Sequence, residues 1–76
     1  MASIYDRDYQ EVIGLLKKAR QAKGMTQIQL AEMLGKHQSF VAKFENGERR
    51  LDVVEFAHIA RLLGVNALET LAKIFK

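Results

Sequence analysis

A helix cap followed closely by a glycine, within residues 26–47, constrains this chain more than any other feature. Thr26 and Gln29 have the spacing of a capping box, in which each side chain bonds the other residue's backbone N–H. Gly35 can adopt the positive φ angle with which a helix commonly ends. A second helix is expected over about 38–46. The segment therefore predicts two short helices joined by a tight turn.

The apolar residues of this segment predict how its two helices pack. Leu30 and Leu34 lie on one face of the first helix, and Val41 and Phe44 face inward from the second. Ala31 is small enough to let the helices approach closely. This arrangement is a helix-turn-helix, whose second helix can enter the major groove of DNA.

The same residues resemble the phage-repressor/Cro-type helix-turn-helix family, which is often called XRE. The resemblance is carried by the runs TQIQLAEMLG, QSFVAKFENGERR and LLGV, and it extends from Arg20 through Val65. It implies an all-α fold, a five-helix lambda-repressor-like DNA-binding domain with its helix-turn-helix at 26–47. It also implies a sequence-specific regulator of transcription, similar to Cro-like repressors, restriction–modification controllers or antitoxin-type regulators.

The whole chain, residues 1–76, is expected to form a single domain around this motif. Residues 1–5 have neither a cap nor a helical period and are expected to be a flexible arm. Asp6 or Asp8 is predicted to cap a first helix that ends near Gly24. Helix formers dominate and the sequence contains no proline, which favours helices throughout.

Two further capping boxes predict two more helices. Asp52 and Glu55 have the spacing to start a fourth helix, which Gly64 would end, and Asn66 with Glu69 would start a fifth. The apolar stripe of the fourth helix is predicted to contain Val53, Phe56, Ala57, Ala60 and Leu63, and Val54 and Ile59 are expected to broaden this apolar surface.

The last helix, at 66–76, is predicted to mediate dimerisation. Ala67 and Ile74 lie off the stripe that would cover the core, and a small domain commonly hides such spare apolar surface against a second copy. A homodimer is also expected because one recognition helix reads only a few base pairs. The predicted core stripe is Leu68, Leu71, Ala72 and Phe75, and the residues assigned to the interface are Leu71, Ile74 and Phe75.

The composition excludes several classes of function. The sequence has no cysteine, so neither a disulfide nor a thiolate metal site can form. His37 and His58 lie far apart, and no nucleophile–base constellation or phosphate-binding glycine loop occurs. The chain is therefore not expected to be an enzyme or to need a cofactor, metal or small-molecule effector. No apolar run is long enough to span a membrane, so we expect a cytoplasmic protein.

Positive charge is concentrated on the segment that contains the proposed DNA reader. Residues 17–50 carry eight basic and three acidic residues, against four basic and six acidic residues elsewhere. This asymmetry fits double-stranded DNA as the partner, and a solvated basic face would explain it equally well.

The outward face of the second motif helix contains the candidates for base reading. Gln38 can bond adenine N6 and N7 bidentately, and Lys43 can reach guanine or a phosphate. Ser39 can donate to or accept from several base edges. Phe40 departs from the small hydroxyl residue that many family members have there. Its ring could cover a thymine methyl or pack as core.

The resemblance also implies contacts with the DNA backbone and a buried ion pair. In this family the loop after the second motif helix commonly contacts phosphate. Gln27 opens the first motif helix, where exposed N–H groups and a side-chain amide can also meet a phosphate. Arg20 stands where the family often pairs an arginine with a glutamate, here Glu45. Since His37 replaces the usual Ser or Thr cap, its capping bond is in doubt. The residues assigned to phosphate are Gln27, His37, Asn46, Arg49 and Arg50.

Overall fold

The structure is a computed structural model that describes the backbone of residues 2–74 and the side chains of residues 7–74. Within this range it consists of five α-helices, as predicted. They are α1 (Ala2–Ala22), α2 (Gln27–Leu34), α3 (Gln38–Glu45), α4 (Val53–Leu63) and α5 (Ala67–Ala72). Among the described residues, none of the helices combines the length and apolar character needed to cross a membrane.

The first helix begins earlier than the sequence suggests. It starts at Ala2, so Asp6 and Asp8 lie inside α1 and not at its N-cap, and residues 2–5 are helical. The expected caps are therefore wrong. No proline or glycine occurs before Gly14, so nothing in the local backbone chemistry stops the helix from extending towards the N-terminus.

The caps of the inner helices agree with their sequence signals. Reciprocal capping boxes form between Thr26 and Gln29 and between Asp52 and Glu55. The fifth helix has only one half of its predicted box, because the Asn66 side chain accepts from the backbone N–H of Glu69 without a return bond. These caps fix where each helix starts and therefore how the motif is placed on the core.

The core is formed where α1 and α4 pack against the α2–α3 pair. Leu16, Leu30, Val41, Phe44 and Ile59 are its largest fully buried side chains. Val41 and Phe44 belong to α3, so the inward face of that helix is fixed by the core and its opposite face is available to a ligand. The other buried apolar residues are Val12, Ile13, Ala31, Phe56, Ala60 and Leu63.

The buried face of α4 is rotated from the predicted one. Val53 is 74% exposed and Ala57 is also exposed, whereas Ile59 is fully buried. The predicted stripe included both exposed residues because several adjacent apolar residues near the start of α4 fit more than one helical face. Packing against α1 selects the face around Phe56 and Ala60.

The fifth helix also presents a different face to the core. Ala67 and Leu71 are partly buried against the core, as is Ile74 just after the helix, while Leu68 is 79% exposed. The prediction that Leu68 covers the core and that Ala67 and Ile74 are spare surface is therefore wrong. In a helix of six residues, two apolar stripes fit almost equally well, and only tertiary packing decides between them. The third interface candidate, Phe75, lies outside the described residues.

Gly14 gives a direct test of helix propensity in α1. A Cβ atom added to Gly14 would meet no atom within 4 Å, so alanine fits without displacing a neighbour. Because glycine costs a helix interior about 0.5–1 kcal/mol relative to alanine, Gly14→Ala should raise the free energy of unfolding by about that amount. Thermal unfolding followed by circular dichroism measures the change.

Gly35→Ala is the matched control. It also adds one methyl group in open space, but Gly35 has a φ of +68° and alanine is strained there. This variant should melt below the wild type. A Gly14→Ala protein that melts no higher than the wild type would contradict the expected gain.

Candidate nucleic-acid interface

The third helix divides into a face that the fold uses and a face that it does not. Val41, Phe44 and Glu45 are buried, whereas Gln38, Ser39 and Lys43 are exposed. The Lys43 side chain has no hydrogen bond or ion pair with another described residue. The exposed face therefore has the polar groups that a groove-reading helix needs.

The buried pair of Arg20 and Glu45 joins α1 to the end of α3. Arg20 donates from Nε to Glu45 Oε2 at 2.7 Å and from Nη2 to Glu45 Oε1 at 2.9 Å. Its Nη1 donates to the backbone carbonyl of Met25 at 2.7 Å. The two side chains are 9% and 1% exposed. Such bidentate geometry fixes both the position and the angle of α3, a task for which a lysine could not replace the planar guanidinium.

A hydrogen-bonded relay continues from this pair to the exposed start of α3. Gln27 Nε2 donates to Glu45 Oε1 at 3.0 Å, and Gln27 Oε1 accepts from Gln38 Nε2 at 3.0 Å. The amide of Gln38 is thus oriented by the amide of Gln27, which is oriented by a buried carboxylate. The sequence did not predict this contact of Gln27, and the residue serves to position Gln38 whatever else it touches.

His37 does cap α3, in spite of the missing hydroxyl. Its Nδ1 accepts from the backbone N–H of Ser39 at 3.2 Å and lies 3.1 Å from the Ser39 hydroxyl. An imidazole nitrogen is a sufficient acceptor for this purpose. Both side chains remain exposed at the N-terminus of the helix.

The Phe40 ring packs against the core and makes cation–π contacts with two side chains. Its ring meets the Phe44 ring edge to face with centroids 5.6 Å apart, and it is partly buried against the core. The guanidinium of Arg49 lies 4.8 Å from the ring centroid and the ammonium of Lys36 lies 5.5 Å from it. Of the two alternatives for Phe40, packing is the one that these contacts favour.

The loop after α3 is held by contacts that the sequence did not reveal. The Tyr9 hydroxyl donates to the Arg49 carbonyl oxygen at 2.7 Å, and the Arg50 guanidinium lies 5.2 Å from the centre of the Tyr9 ring. Burial is the main reason that the pKa of Tyr9 is raised, so its hydroxyl stays protonated and able to donate. No local sequence signal links Tyr9 to a residue forty positions away.

Arg49 already has an anionic partner in the free protein. It forms a two-pronged pair with Glu55, with Nη1 to Oε1 at 3.0 Å and Nη2 to Oε2 at 3.1 Å. The pKa of Glu55 is held below its ordinary value, mainly by the hydrogen bonds from Arg49 and secondly by the hydrogen bond from the Asp52 backbone N–H. Glu55 therefore keeps its charge beside the loop assigned to phosphate.

The remaining predicted residues fall at the C-terminal end of the interface. Asn46 is exposed at the C-cap of α3, and the backbone N–H groups of Glu48 and Arg49 both donate to the Lys43 carbonyl. The loop thus folds back onto α3. The predicted base-reading and phosphate-contacting residues lie on α3 and at its two caps, at the start of α2 and on this loop.

Removing Arg20 should destabilise the fold strongly. Arg20→Ala leaves Glu45 buried without its cation, a change that costs about 3–5 kcal/mol in buried pairs. The free energy of unfolding, measured by urea titration, should fall by that order. Lys18→Ala on the exposed face of α1 is the control and should change stability by no more than about 0.5 kcal/mol. Equal urea midpoints for the two variants would contradict the structural role of Arg20.

Comparison with known proteins agrees with this geometry. The model of the helix-turn-helix family matches residues 16–70, which is more than half of the chain. An XRE-family like protein from Pseudomonas syringae pv. tomato str. DC3000 has a similar solved structure, with 47% sequence identity and a TM-score of 0.86. The match covers 95% of this chain and 88% of that one. No curated protein sequence matches the chain. The chain therefore belongs to the XRE family of helix-turn-helix, DNA-binding transcriptional regulators.

Proposed function

We propose that this protein is a sequence-specific regulator of transcription that binds double-stranded DNA as a homodimer on a roughly palindromic operator. The observation that carries the proposal is the relay from buried Arg20 and Glu45 through Gln27 to exposed Gln38. A protein that did not use Gln38 would gain little from orienting an exposed amide in this way. The relay preorganises a hydrogen-bonding group on the outward face of α3.

The hydrogen-bonding groups that remain on the Gln38 amide suit adenine. One N–H of Nε2 is used by Gln27, which leaves the second N–H and the carbonyl oxygen. In the major groove the remaining N–H can donate to adenine N7, and the carbonyl oxygen can accept from the adenine N6 amino group. Ser39 and Lys43 lie on the same exposed surface and would contact neighbouring base edges or phosphates.

Contacts with the DNA backbone would come from both ends of the motif. The N-terminus of α2 at Gln27 and the exposed ring of His37 lie on one side. Asn46, Arg49 and Arg50 follow α3 on the other side. Such contacts fix the register of a protein on DNA but carry little sequence information.

The biological setting is proposed from the family. Cro-like repressors, restriction–modification controllers and antitoxin-type regulators would all use such a domain, and their common mode of action is to occlude or recruit polymerase at an operator. A protein-interaction module that keeps the fold without reading DNA is the alternative. Steep loss of DNA binding with added salt favours the regulator, because phosphate contacts release counterions. Selection from a random duplex pool would give the operator.

Replacing Gln38 and replacing Arg50 should weaken DNA binding in different ways. Gln38→Ala should weaken binding to the preferred operator by about 1–3 kcal/mol and relax preference at one position in each half-site. Arg50→Ala should weaken operator and unrelated DNA alike and flatten the salt dependence. Fluorescence anisotropy with both duplexes at several salt concentrations measures these effects. If both variants lose sequence preference equally, the division between base and phosphate contacts is wrong.

The dimer proposal rests on exposed apolar side chains near α5 and on the information content of an operator. Leu68 is 79% exposed and Val53, at the start of α4, is 74% exposed. Two copies would read two half-sites about one helical turn, or about 34 Å, apart. Ile74 packs against the core, so it is a poor site at which to test association without unfolding the protein.

Leu68→Glu should convert the protein to a monomer while leaving it folded, because a charge cannot be buried in an apolar interface without cost. Sedimentation equilibrium at micromolar concentration should show the loss of the dimer, and operator affinity should fall. Met33→Glu is the control, since Met33 is a similarly apolar, 53% exposed residue on α2. A wild-type protein that is monomeric both alone and on DNA would remove the basis for the proposed dimer.

A further inference from the structure

We propose that Glu55 competes with DNA phosphate for the guanidinium of Arg49 and thereby limits the affinity of the protein for the DNA backbone. This inference rests on the proposed DNA-binding function. It assigns to Glu55, a residue of α4 outside the helix-turn-helix, a negative role at the interface.

The geometry of the Arg49 side chain makes it a shared group. Both hydrogens of Nη1 are used, one by Glu55 and one by the Arg50 carbonyl at 2.9 Å, and Nη2 gives one hydrogen to Glu55. The edge formed by Nε–H and the second Nη2 hydrogen has no acceptor among the described residues. That edge can still bond a phosphate oxygen. The positive charge that would attract the phosphate, however, is already opposed by a carboxylate.

The location of Arg49 places this competition beside the recognition helix. Its backbone N–H donates to the Lys43 carbonyl at 3.3 Å, and its guanidinium lies over the ring of Phe40. Both of these residues belong to α3. A phosphate that approaches the C-terminal end of α3 therefore meets Arg49 and the charge of Glu55 together.

The exposure of the pair decides how strong the effect can be. The Arg49 side chain is 43% exposed and that of Glu55 is 18% exposed. Water and salt reach the guanidinium, so the pair is weak enough for DNA to break or share it. A fully buried pair, such as Arg20 with Glu45, could not be shared in this way.

Glu55→Gln removes the negative charge of this side chain but keeps its second role, which is in the capping box of α4. Glu55 also closes the capping box of α4, where its Oε1 accepts from the Asp52 N–H at 3.0 Å. Glutamine preserves that acceptor, because Glu and Gln both occupy this position of a capping box. The helix should therefore form as before while Arg49 loses its anionic partner.

The experiment measures binding of the full chain to a selected operator and to an unrelated duplex by fluorescence anisotropy, across a series of salt concentrations. Glu55→Gln should bind both duplexes about two- to fivefold more tightly at low salt, the factor expected from an exposed ion pair. The slope of log affinity against log salt should steepen by up to about 0.9, the value for one additional phosphate contact. In an Arg49→Ala background the same substitution should change neither quantity.

Glu11→Gln is the control for net charge, because Glu11 is exposed on α1 and has no cation bonded to it among the described residues. If Glu55→Gln and Glu11→Gln shift affinity and slope equally, the effect is general charge and the proposal is wrong. Weaker binding by a Glu55→Gln protein with an unchanged melting temperature would also overturn it, since Glu55 would then position Arg49 for DNA. If the wild type binds no duplex, the proposed function itself fails.

Discussion

The buried pair of Arg20 and Glu45 is the interaction on which the rest of the interface depends. It joins α1 to the C-terminal end of α3, and through the Met25 carbonyl it also fixes the turn before α2. Replacing such a pair by apolar side chains often costs little stability. Its value here is geometric, because Glu45 is also the acceptor that orients Gln27. Burial of the apolar core stabilises the packing of the helices, and this pair fixes the angle between α1 and α3.

Features set by neighbouring residues could be predicted from the sequence. The caps at Thr26 and Asp52 and the glycine ends at Gly35 and Gly64 depend on bonds within a few positions, and the structure contains them. The all-helical fold follows from these signals together with the absence of proline. The resemblance to a known family added the pairing of Arg20 with Glu45, which no local rule predicts.

Features set by distant residues could not be predicted in the same way. The contacts of Gln27 with Gln38 and of Tyr9 with the Arg49 carbonyl join residues that are eleven and forty positions apart. The predicted buried faces of α4 and α5 were wrong, as the exposure of Val53 and Leu68 shows. Apolar residues are dense at the start of α4, and α5 is short, so periodicity allows more than one apolar stripe in each helix. The pairing of Arg49 with Glu55 was not predicted, because Arg49 had been assigned to phosphate and Glu55 to the capping box of α4.

The exposed face of α3 contains two kinds of side chain, and the difference bears on how such a protein can evolve. Gln38 belongs to a relay that reaches the core, so a substitution there removes the hydrogen bond to Gln27 Oε1. The Lys43 side chain has no hydrogen bond or ion pair with another described residue. Substitutions of the Lys43 side chain therefore break no such contact, whereas a change at Gln38 also removes a hydrogen bond of Gln27. Divergence among descendants of this protein should begin at the unconstrained position.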